Sequence, residues 1–269
     1  MKKFATFAAA IAAFGFVNAA SAADMPTKAP MMAPVYNWSG WYVGFNAGAA
    51  VDPAHVQTTT LNPPASYFTV TSATPFNAAG DQTFHTPGFT GGIQAGYNWQ
   101  MNNTVLGIET DFNYMGLKGS STISNPYPTG ILGGYTLSQS VKTDWLFTLR
   151  PRLGWAANNW LFYVTGGLAV TRIKADYLFT DTNSAANESA SINKTKAGWA
   201  LGGGVEYGIV GGPWSVKAEY LHVDFSTVST TSSNLTLGGG TIAVPTQTFT
   251  HSAKLSDDIV RVGVNYKLH

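Results

Sequence analysis

The sequence predicts an all-β protein, an eight-stranded antiparallel up-and-down transmembrane β-barrel. About eight segments alternate apolar and polar residues, so each forms a strand with one apolar and one polar face. The gaps between the segments alternate short and long, as in a series of hairpins. Trp and Tyr lie beside the short gaps. An apolar face edged with aromatics, opposite a charged or Gly-rich face, suits a wall between lipid and a polar interior.

The chain begins with an export signal. Lys2 and Lys3 supply positive charge, an apolar run extends from Phe4 to Val17, and Ala20-Ser21-Ala22 forms a small-residue cleavage site. We therefore expect a cleaved signal peptide (1–22), a Pro-rich periplasmic linker (23–39) and a barrel (40–269). An N-terminal membrane anchor is the alternative. The apolar run is shorter than the ~20 residues that a spanning helix needs, so the signal peptide is favoured.

Composition narrows the class of protein. Loss of Lys2 and Lys3 from the 15 basic residues leaves 13 against 14 acidic ones, which gives no support for nucleic-acid binding. Only 11% of residues are charged, whereas about 25–35% of the residues on the surface of a soluble protein are typically charged. The chain has no Cys, so a closed hydrogen-bonded sheet rather than disulfides would complete an exported fold.

The first half of the chain supplies four strands, predicted at residues 41–49, 89–100, 106–114 and 141–155. The turn between the second and third strands is Met101-Asn102-Asn103-Thr104, and Asn suits turn conformations. Pro151 lies inside the fourth strand. Because Pro has no amide hydrogen for the ladder, we expect a β-bulge there.

The second half supplies the other four strands, predicted at residues 160–173, 197–209, 214–221 and 260–268. Short turns at 156–159 and at Gly211-Gly212-Pro213 join two of the pairs. The last strand alternates most clearly. Its Val260, Val262, Val264, Tyr266 and Leu268 share one face, opposite Arg261, Gly263, Asn265 and Lys267.

Four long gaps, at about 51–87, 115–140, 176–193 and 226–254, are predicted to be extracellular loops. A strand of ~10 residues tilted by ~40° covers ~25 Å, which is the height of the apolar band of such barrels. The short turns then lie on the periplasmic side beside an aromatic girdle of Trp41, Trp99, Trp155, Trp160, Trp214 and Tyr266. A soluble β-sandwich is the alternative, and it would need these aromatic faces buried against a second sheet.

Several segments resemble the RopB-like small outer-membrane barrel proteins of rhizobia and related alphaproteobacteria, within the OmpA-type membrane-domain group. They are WSGWYVG (38–44), DWLFTLRPRLGW (144–155), LFYVTGGLA (161–169), GWALGGGVEY (198–207), WSVKAEYLHVD (214–224) and VRVGVNYKL (260–268). The resemblance implies an eight-stranded outer-membrane barrel, often described as a porin or surface antigen, without catalytic residues. Family chains commonly end on an aromatic that the barrel-assembly machinery reads, whereas this sequence ends on Leu268 and His269.

Charged residues on the polar faces predict a network inside the barrel. Its members are Glu109, Asp111, Arg150, Arg152, Glu206, Lys217, Glu219, Arg261 and Lys267. Buried charges are tolerated only when paired, and an eight-stranded barrel is just wide enough for its own side chains. We therefore favour a plug of ion pairs over a charged ion path.

Catalytic, cofactor and metal sites have little support in the sequence. His222 with Asp224 is the only near His–acid pair, and no Ser motif accompanies it. His55, His85 and His251 fall in the long gaps, where they could bind haem or a metal, but their spacing is irregular. The Gly202–Gly204 run lacks the Lys-Ser/Thr of a phosphate loop.

The sequence therefore predicts a non-enzymatic structural barrel without a cofactor, which supports the envelope and displays recognition loops. A narrow porin for small solutes is the first alternative, and capture of haem or another ligand by the loops is the second. The expected partners are outer-membrane lipid and lipopolysaccharide, the barrel-assembly machinery, and host or phage surfaces that contact the loops.

Overall fold

The computed structural model describes residues 35–61, 67–128, 130 and 132–268. In chain order the elements are β1 Gly40–Thr60, α1 Val70–Ala79, β2 Asp81–Met101, β3 Thr104–Pro126, β4 Gly134–Ala157, β5 Trp160–Asp181, β6 Asn187–Gly208, β7 Trp214–Phe225, β8 Val228–Ser232, β9 Thr236–Leu237, β10 Ile242–Ala243, β11 Phe249–Lys254 and β12 Ser256–Lys267. The predicted signal peptide and most of the linker lie outside the described residues.

Eight strands, β1 to β7 and β12, close into a ring. Each pairs antiparallel with the next, and β12 closes the ring by pairing with both β7 and β1. Val264 lies opposite Val216 on β7 and opposite Phe45 on β1. The predicted up-and-down barrel is therefore confirmed, and at this level the sheet has no free edge.

The short turns lie together at one end of the barrel. Asn102 and Asn158 adopt positive φ angles of 55° and 53°, a conformation that Asn tolerates better than most residues. Residues 35–39 lie at this end, where the amide of Tyr36 donates to the side chain of Asn159 (2.9 Å) and the amide of Trp38 donates to that of Gln100 (2.8 Å). The last described stretch before β1 is thus fixed onto the turns.

At the other end, most of the predicted long loops are strands. β3 and β4 remain paired as far as Pro126 and Gly134, and β5 and β6 as far as Thr180 and Asn187. The prediction of loops at 115–140 and 176–193 is therefore wrong. Those segments do alternate, but with hydroxyl-bearing residues on the outer face, so their pattern differs from that of the lipid-facing strands.

The fourth gap is also partly folded. β11 pairs with β1 from His55–Lys254 to Thr60–Phe249, and β8 pairs with β11, so these short strands extend the β7–β12 side of the wall. The first gap contains α1, whose buried face includes Ala73 and Phe76. Within the described residues, no helix is long and apolar enough to cross a membrane.

The predicted bulge at Pro151 is wrong. Pro151 pairs with Ile108 on β3, and towards β5 the stretches Leu149–Arg152 and Thr165–Leu168 contain equal numbers of residues. The carbonyl of Pro151 instead accepts a hydrogen bond from Thr165 Oγ1 (2.9 Å). Register shifts lie further along the barrel, in the β3–β4 ladder between Tyr114 and Leu117 and in the β4–β5 ladder between Thr143 and Leu146.

Candidate functional site

The interior of the barrel has three layers along its axis. On β4 the inward side chains change from Arg150 and Arg152 near the short turns, through Leu146 and Val141, to Leu137 and Tyr135 near the far end. The layers are a charged network, an apolar layer and an aromatic cap. Since the interior is the part of a barrel that decides whether solutes pass, these layers are the candidate functional site.

The charged network contains four acids and four bases, all with side chains no more than 4% exposed. Its members are Glu109, Asp111, Glu206, Glu219, Arg150, Arg152, Lys217 and Arg261. Eight of the nine charged residues that the sequence predicted to lie inside the barrel belong to this network. Equal numbers of each sign allow every member to be paired, which buried charges require.

Arg150 lies at the centre of the network. Its Nη1 donates to Glu219 Oε1 (2.7 Å), and its Nη2 donates to Glu109 Oε1 (2.9 Å) and Asp111 Oδ2 (2.7 Å). Its Nε donates to Thr148 Oγ1 at 2.9 Å. One guanidinium thus joins carboxylates from β3 and β7, strands on different sides of the barrel.

Arg152 forms the part of the network nearest the short turns. Its Nη2 donates to Glu206 Oε2 (2.8 Å), and its guanidinium carbon lies 4.2 Å from the ring centre of Tyr163. Glu206 also accepts hydrogen bonds from Ser215 (2.5 Å) and Asn265 (2.7 Å). These contacts join side chains from five strands, β4, β5, β6, β7 and β12, across the lumen.

Lys217 and Arg261 complete the pairing. Lys217 Nζ lies 2.8 Å and 2.9 Å from the two oxygens of Glu109. Arg261 Nη2 lies 2.9 Å from Asp111 Oδ2 and 3.0 Å from Glu219 Oε2. Glu109, Asp111 and Glu219 therefore each keep a second cation beside Arg150.

The long cationic side chains fit because small residues lie next to them. A Cβ atom on Gly107 would lie 2.9 Å from Cγ of Arg152, closer than packed carbon atoms approach. At the end of the barrel with the short turns, the space beside Tyr42 and Glu206 measures about 10 Å³, which is about the room for one water molecule. The lumen is filled at this level.

Lys267 was predicted to join the network, and this is wrong. It is the last residue of β12, at the rim of the barrel, where its Nζ donates to the carbonyl of Asn37 (2.7 Å) and lies 5.8 Å from the Tyr36 ring centre. The alternation of the strand put Lys267 on the inner face. Alternation does not tell where along the axis a strand leaves the packed interior.

The apolar layer was not predicted. It lies next to the charged network and includes the buried side chains of Met115, Leu117, Leu146, Ile173, Leu221, Val223 and Ile259. Buried Asp257 lies opposite Val223, and neither of its carboxylate oxygens has a hydrogen-bond partner in the part of the chain that the structure describes. The sequence carries a signal for this layer on β3, where Met115 and Leu117 continue the inward alternation with apolar side chains.

The aromatic cap closes the far end. Phe76 of α1 lies 4.9–5.9 Å, between ring centres, from Phe68, Tyr135, Phe179 and Phe249. The hydroxyls of Tyr67 and Tyr127 both donate to Asp181. Burial, and then the hydrogen bond to Asp181, raises the pKa of Tyr67 to about 12. Burial likewise raises the pKa of Tyr127.

The histidines predicted to lie in loops lie on strands. His251 of β11 is buried, with Nδ1 3.0 Å from Thr58 Oγ1 and Nε2 3.3 Å from Glu188 Oε1. His55 on β1 pairs with Asp81 on β2 at 2.6 Å, and His85 is exposed on β2. His251 is therefore not available as a surface ligand. No cluster of three metal-binding side chains occurs among the described residues.

The His222–Asp224 pair is also not formed. His222 Nδ1 lies 2.8 Å from Asp258 Oδ1, and Asp224 pairs with Lys254 instead (3.2 Å). These groups lie on the outer wall, where the hydroxyl of Tyr220 also donates to Asp258 (2.7 Å).

The predicted aromatic girdle lies outward near the short turns. Its six members, all exposed, are Trp41, Trp99, Trp155, Trp160, Trp214 and Tyr266. At the opposite boundary of the apolar band, exposed Tyr114, Trp199 and Tyr220 occupy corresponding positions. Two aromatic levels with an apolar band between them are the outer surface of a membrane barrel.

Comparison with known proteins gives consistent matches. The family described as "Outer membrane protein beta-barrel domain" matches residues 9–240. The 31 kDa outer-membrane immunogenic protein of Brucella melitensis biotype 1 is 37% identical over 96% of this chain and 97% of its own length. The 22 kDa outer membrane protein of Rhizobium leguminosarum bv. viciae is 31% identical over 52% of this chain and 54% of its own. Among solved structures, Neisserial surface protein A aligns with 86% of this chain and 98% of its own, with a TM-score of 0.35 and 13% identity.

Proposed function

The chain belongs to the outer membrane protein β-barrel family, and we propose that it is a sealed, non-enzymatic barrel that serves as a surface antigen. The antigenic part is its extracellular extension, which is the part of the barrel beyond the apolar band together with α1 and β8 to β11. The chain is an outer-membrane protein, as predicted from the sequence, and the expected relation to small rhizobial barrels is confirmed. The observation that carries the proposal is the charge-balanced network around Arg150, which fills the lumen below an apolar layer.

Three stacked layers oppose conduction for different physical reasons. An ion crossing the network would have to displace paired buried charges, and leaving a buried charge without its partner costs several kcal/mol. The apolar layer offers an ion no hydrogen-bonding groups in place of its hydration shell. The cap then closes the extracellular end with packed rings. Envelope support therefore fits the geometry better than passive diffusion of solutes.

Planar-bilayer recording tests the sealed barrel. The full mature protein, refolded and shown to be closed by its heat-dependent electrophoretic mobility, should give no reproducible conductance steps. A known open porin, reconstituted in the same membranes, controls for insertion. Reproducible steps from the wild-type protein would support the alternative, a narrow porin for small solutes.

The absence of enzyme activity is part of the proposal. Ser232, His251 and Glu188 lie together, but the Ser232 hydroxyl and the Glu188 carboxylate both approach Nε2 of the imidazole, at 3.2 Å and 3.3 Å. In a Ser-His-acid triad the acid orients the other ring nitrogen. Here that nitrogen contacts Thr58. Hydrolysis of ester or peptide substrates should therefore be equal in the wild-type protein and a Ser232→Ala variant, and faster turnover by the wild type would contradict the proposal.

The extracellular extension suits contact with other surfaces. Its outer face carries rows of hydroxyls, with Thr122 3.1 Å from Ser138 and Ser124 2.8 Å from Thr136. Host or phage surfaces remain proposed partners, as does the barrel-assembly machinery during insertion. The relatives named as immunogenic outer-membrane proteins support display of this region.

Epitope tags test the proposed orientation. A tag at Gly130, in the β3–β4 connection, should be labelled by antibody on intact cells. A matched tag at Gly211, in the short turn between β6 and β7, should be labelled only after permeabilisation. Both glycines have positive φ, and a Cβ atom at either position would meet no other atom within 4 Å, so either site accepts an insertion. The reverse labelling would contradict the proposed topology.

A further inference from the structure

Three lysines form a row across the outer wall. Lys118 on β3 lies directly opposite Lys142 on β4, which lies directly opposite Lys174 on β5. Like charges in directly opposed positions of a sheet are destabilising unless another charge compensates them. The row therefore calls for an anion at this place.

The protein supplies only part of that compensation. Asp144 lies between two of the lysines, 2.8 Å from Lys142 Nζ and 2.6 Å from Lys174 Nζ. Arg172, exposed on β5, adds a fourth cation, and Asp176 is the other carboxylate on this part of β5. Four cations against two carboxylates leave the surface positive.

The opposite side of the barrel differs. On β7, β11 and β12 the outward charged side chains near the level of the lysine row include Asp224 and Asp258 with a single lysine, Lys254, which is paired with Asp224. Lys194 and Lys196 on β6 lie opposite Ile173 and Thr171, whose side chains face inward, so these two lysines are not part of the outer face. Among outward-facing side chains, the excess positive charge therefore lies on the β3–β5 wall. A general attraction to the anionic leaflet would not need such a one-sided arrangement.

An apolar groove lies nearer the membrane centre on β1 to β4, and it shares β3 and β4 with the lysine row. It encloses about 440 Å³ and is lined by Val43, Phe45, Ile93, Ala95, Phe112 and Phe147, together with neighbouring residues of β1 to β4. Phe112 lies six residues before Lys118 on β3, and Phe147 lies five residues after Lys142 on β4. At about 3.3 Å per residue the lysine row is about 17–20 Å further along these strands.

The aromatic level lies between the groove and the lysine row. Trp145 stacks on Phe112, with ring centres 5.8 Å apart, and Tyr114 is exposed one step further along β3. Trp and Tyr mark the boundary between hydrocarbon and headgroups. The lysines therefore lie at headgroup level, and the groove lies at acyl-chain level.

From this juxtaposition we propose that the outer wall from β1 to β5 is a binding site for one anionic glycolipid of the outer leaflet. Its phosphate groups contact Lys118, Lys142 and Lys174, and one acyl chain occupies the groove beside Ala95 and Phe112. Lysine binds phosphate as a compact point charge with three donors. The site holds the lipid and catalyses nothing.

Native mass spectrometry of the detergent-solubilised protein tests the site with bis-phosphorylated lipid A as the probe. The wild type should retain one lipid A molecule. A Lys118→Gln/Lys142→Gln/Lys174→Gln variant should bind it at least tenfold more weakly, since each lysine near a headgroup contributes about fivefold. Lys254→Gln is the matched control and should bind within twofold of the wild type. Heat-dependent mobility on gels checks that each variant is closed.

Further arms test the two halves of the site separately. Ala95→Trp fills the groove and should weaken lipid A binding at least threefold while the lysines remain. Lipid A without phosphates should bind the wild type at least tenfold more weakly. Equal binding by the triple variant and the wild type would overturn the proposal. So would full displacement of lipid A by millimolar inorganic phosphate, because the site would then bind free anions.

Discussion

Replacing Arg150 with Met should destabilise the barrel by about 3–4 kcal/mol. The side chain is fully buried and donates hydrogen bonds to Glu219, Glu109, Asp111 and Thr148. Met fills most of the volume, so the change removes the charge and its hydrogen bonds more than it removes packing. It leaves the charged network with four carboxylates and three cations.

The magnitude follows from what remains. Breaking a buried ion pair by removing one partner costs about 3–5 kcal/mol. Each carboxylate that loses Arg150 keeps another cation: Glu109 keeps Lys217, and Asp111 and Glu219 keep Arg261. None is left alone, which places the expected loss in the lower part of that range.

Urea titration of the folded protein in lipid vesicles measures this loss, with the heat-dependent gel shift as a second probe of closure. Arg172→Met is the control, because Arg172 is an exposed arginine on the outer wall and its replacement should change stability by less than about 0.5 kcal/mol. The double variant Arg150→Met/Glu219→Gln restores charge balance. It should be at least about 1 kcal/mol more stable than the sum of the two single changes implies.

A loss below about 1 kcal/mol for Arg150→Met, equal to that of the exposed control, would refute the reasoning. The carboxylates would then be hydrated without Arg150. Water at that depth would mean that the lumen is open enough for small solutes. The same measurement therefore bears on the choice between a sealed barrel and a narrow porin.

Three further changes probe the other layers. Phe76→Ala should destabilise the aromatic cap by about 3–5 kcal/mol, because it removes a buried ring from the cap. Proteolysis of the capped end of the barrel should then be faster, while the heat-dependent gel shift of the barrel is kept. Tyr67 should ionise near pH 12 in the folded protein rather than near pH 10, as measured by tyrosinate absorbance with Tyr67→Phe as the control. Because the pKa of Tyr67 is higher in the folded than in the unfolded protein, the stability that it adds below pH 10 is lost as the pH rises from 10 to 12. Asp257→Leu should increase the free energy of unfolding by about 1–3 kcal/mol and so raise the urea midpoint, because it removes a buried carboxyl group without a hydrogen-bond partner. A lower urea midpoint would contradict this.

The membrane-spanning part could be predicted from the sequence because lipid imposes one polarity on one face. Val260, Val262 and Val264 alternate with Arg261 and Gly263. Lipid covers the outward valines, so no second layer of protein is needed to bury them. The same alternation placed Glu109 and Arg150 on the inner faces of their strands, and the register of β3 and β4 sets them directly opposite each other. Their hydrogen bonds follow from the narrow lumen, which forces inward charges from all strands together.

The part of the barrel beyond the apolar band could not be predicted by the same rule, because water reverses the polarity of the two faces. Leu137 and Val141 of β4 point inward and Ser138 and Ser140 outward, whereas Leu149 and Leu153 of the same strand point to lipid. A search for apolar residues on the outer face stops where the membrane stops. Lys267 was misplaced for a related reason, since alternation assigns a face but no depth.

The point of reversal coincides with the bulges of β3 and β4. Between Thr143 and Leu146, β4 has one residue more than β5, so Asp144 and Trp145 both project outward. Trp145 contacts the aromatic ring below it, and Asp144 contacts the two lysines above it. A regular strand would have sent one of them into the apolar layer. The bulge thus allows an interfacial aromatic and a headgroup-level carboxylate to be adjacent in the chain. It also shifts the inward positions of β4 from odd-numbered residues such as Val141 to even-numbered residues such as Leu146.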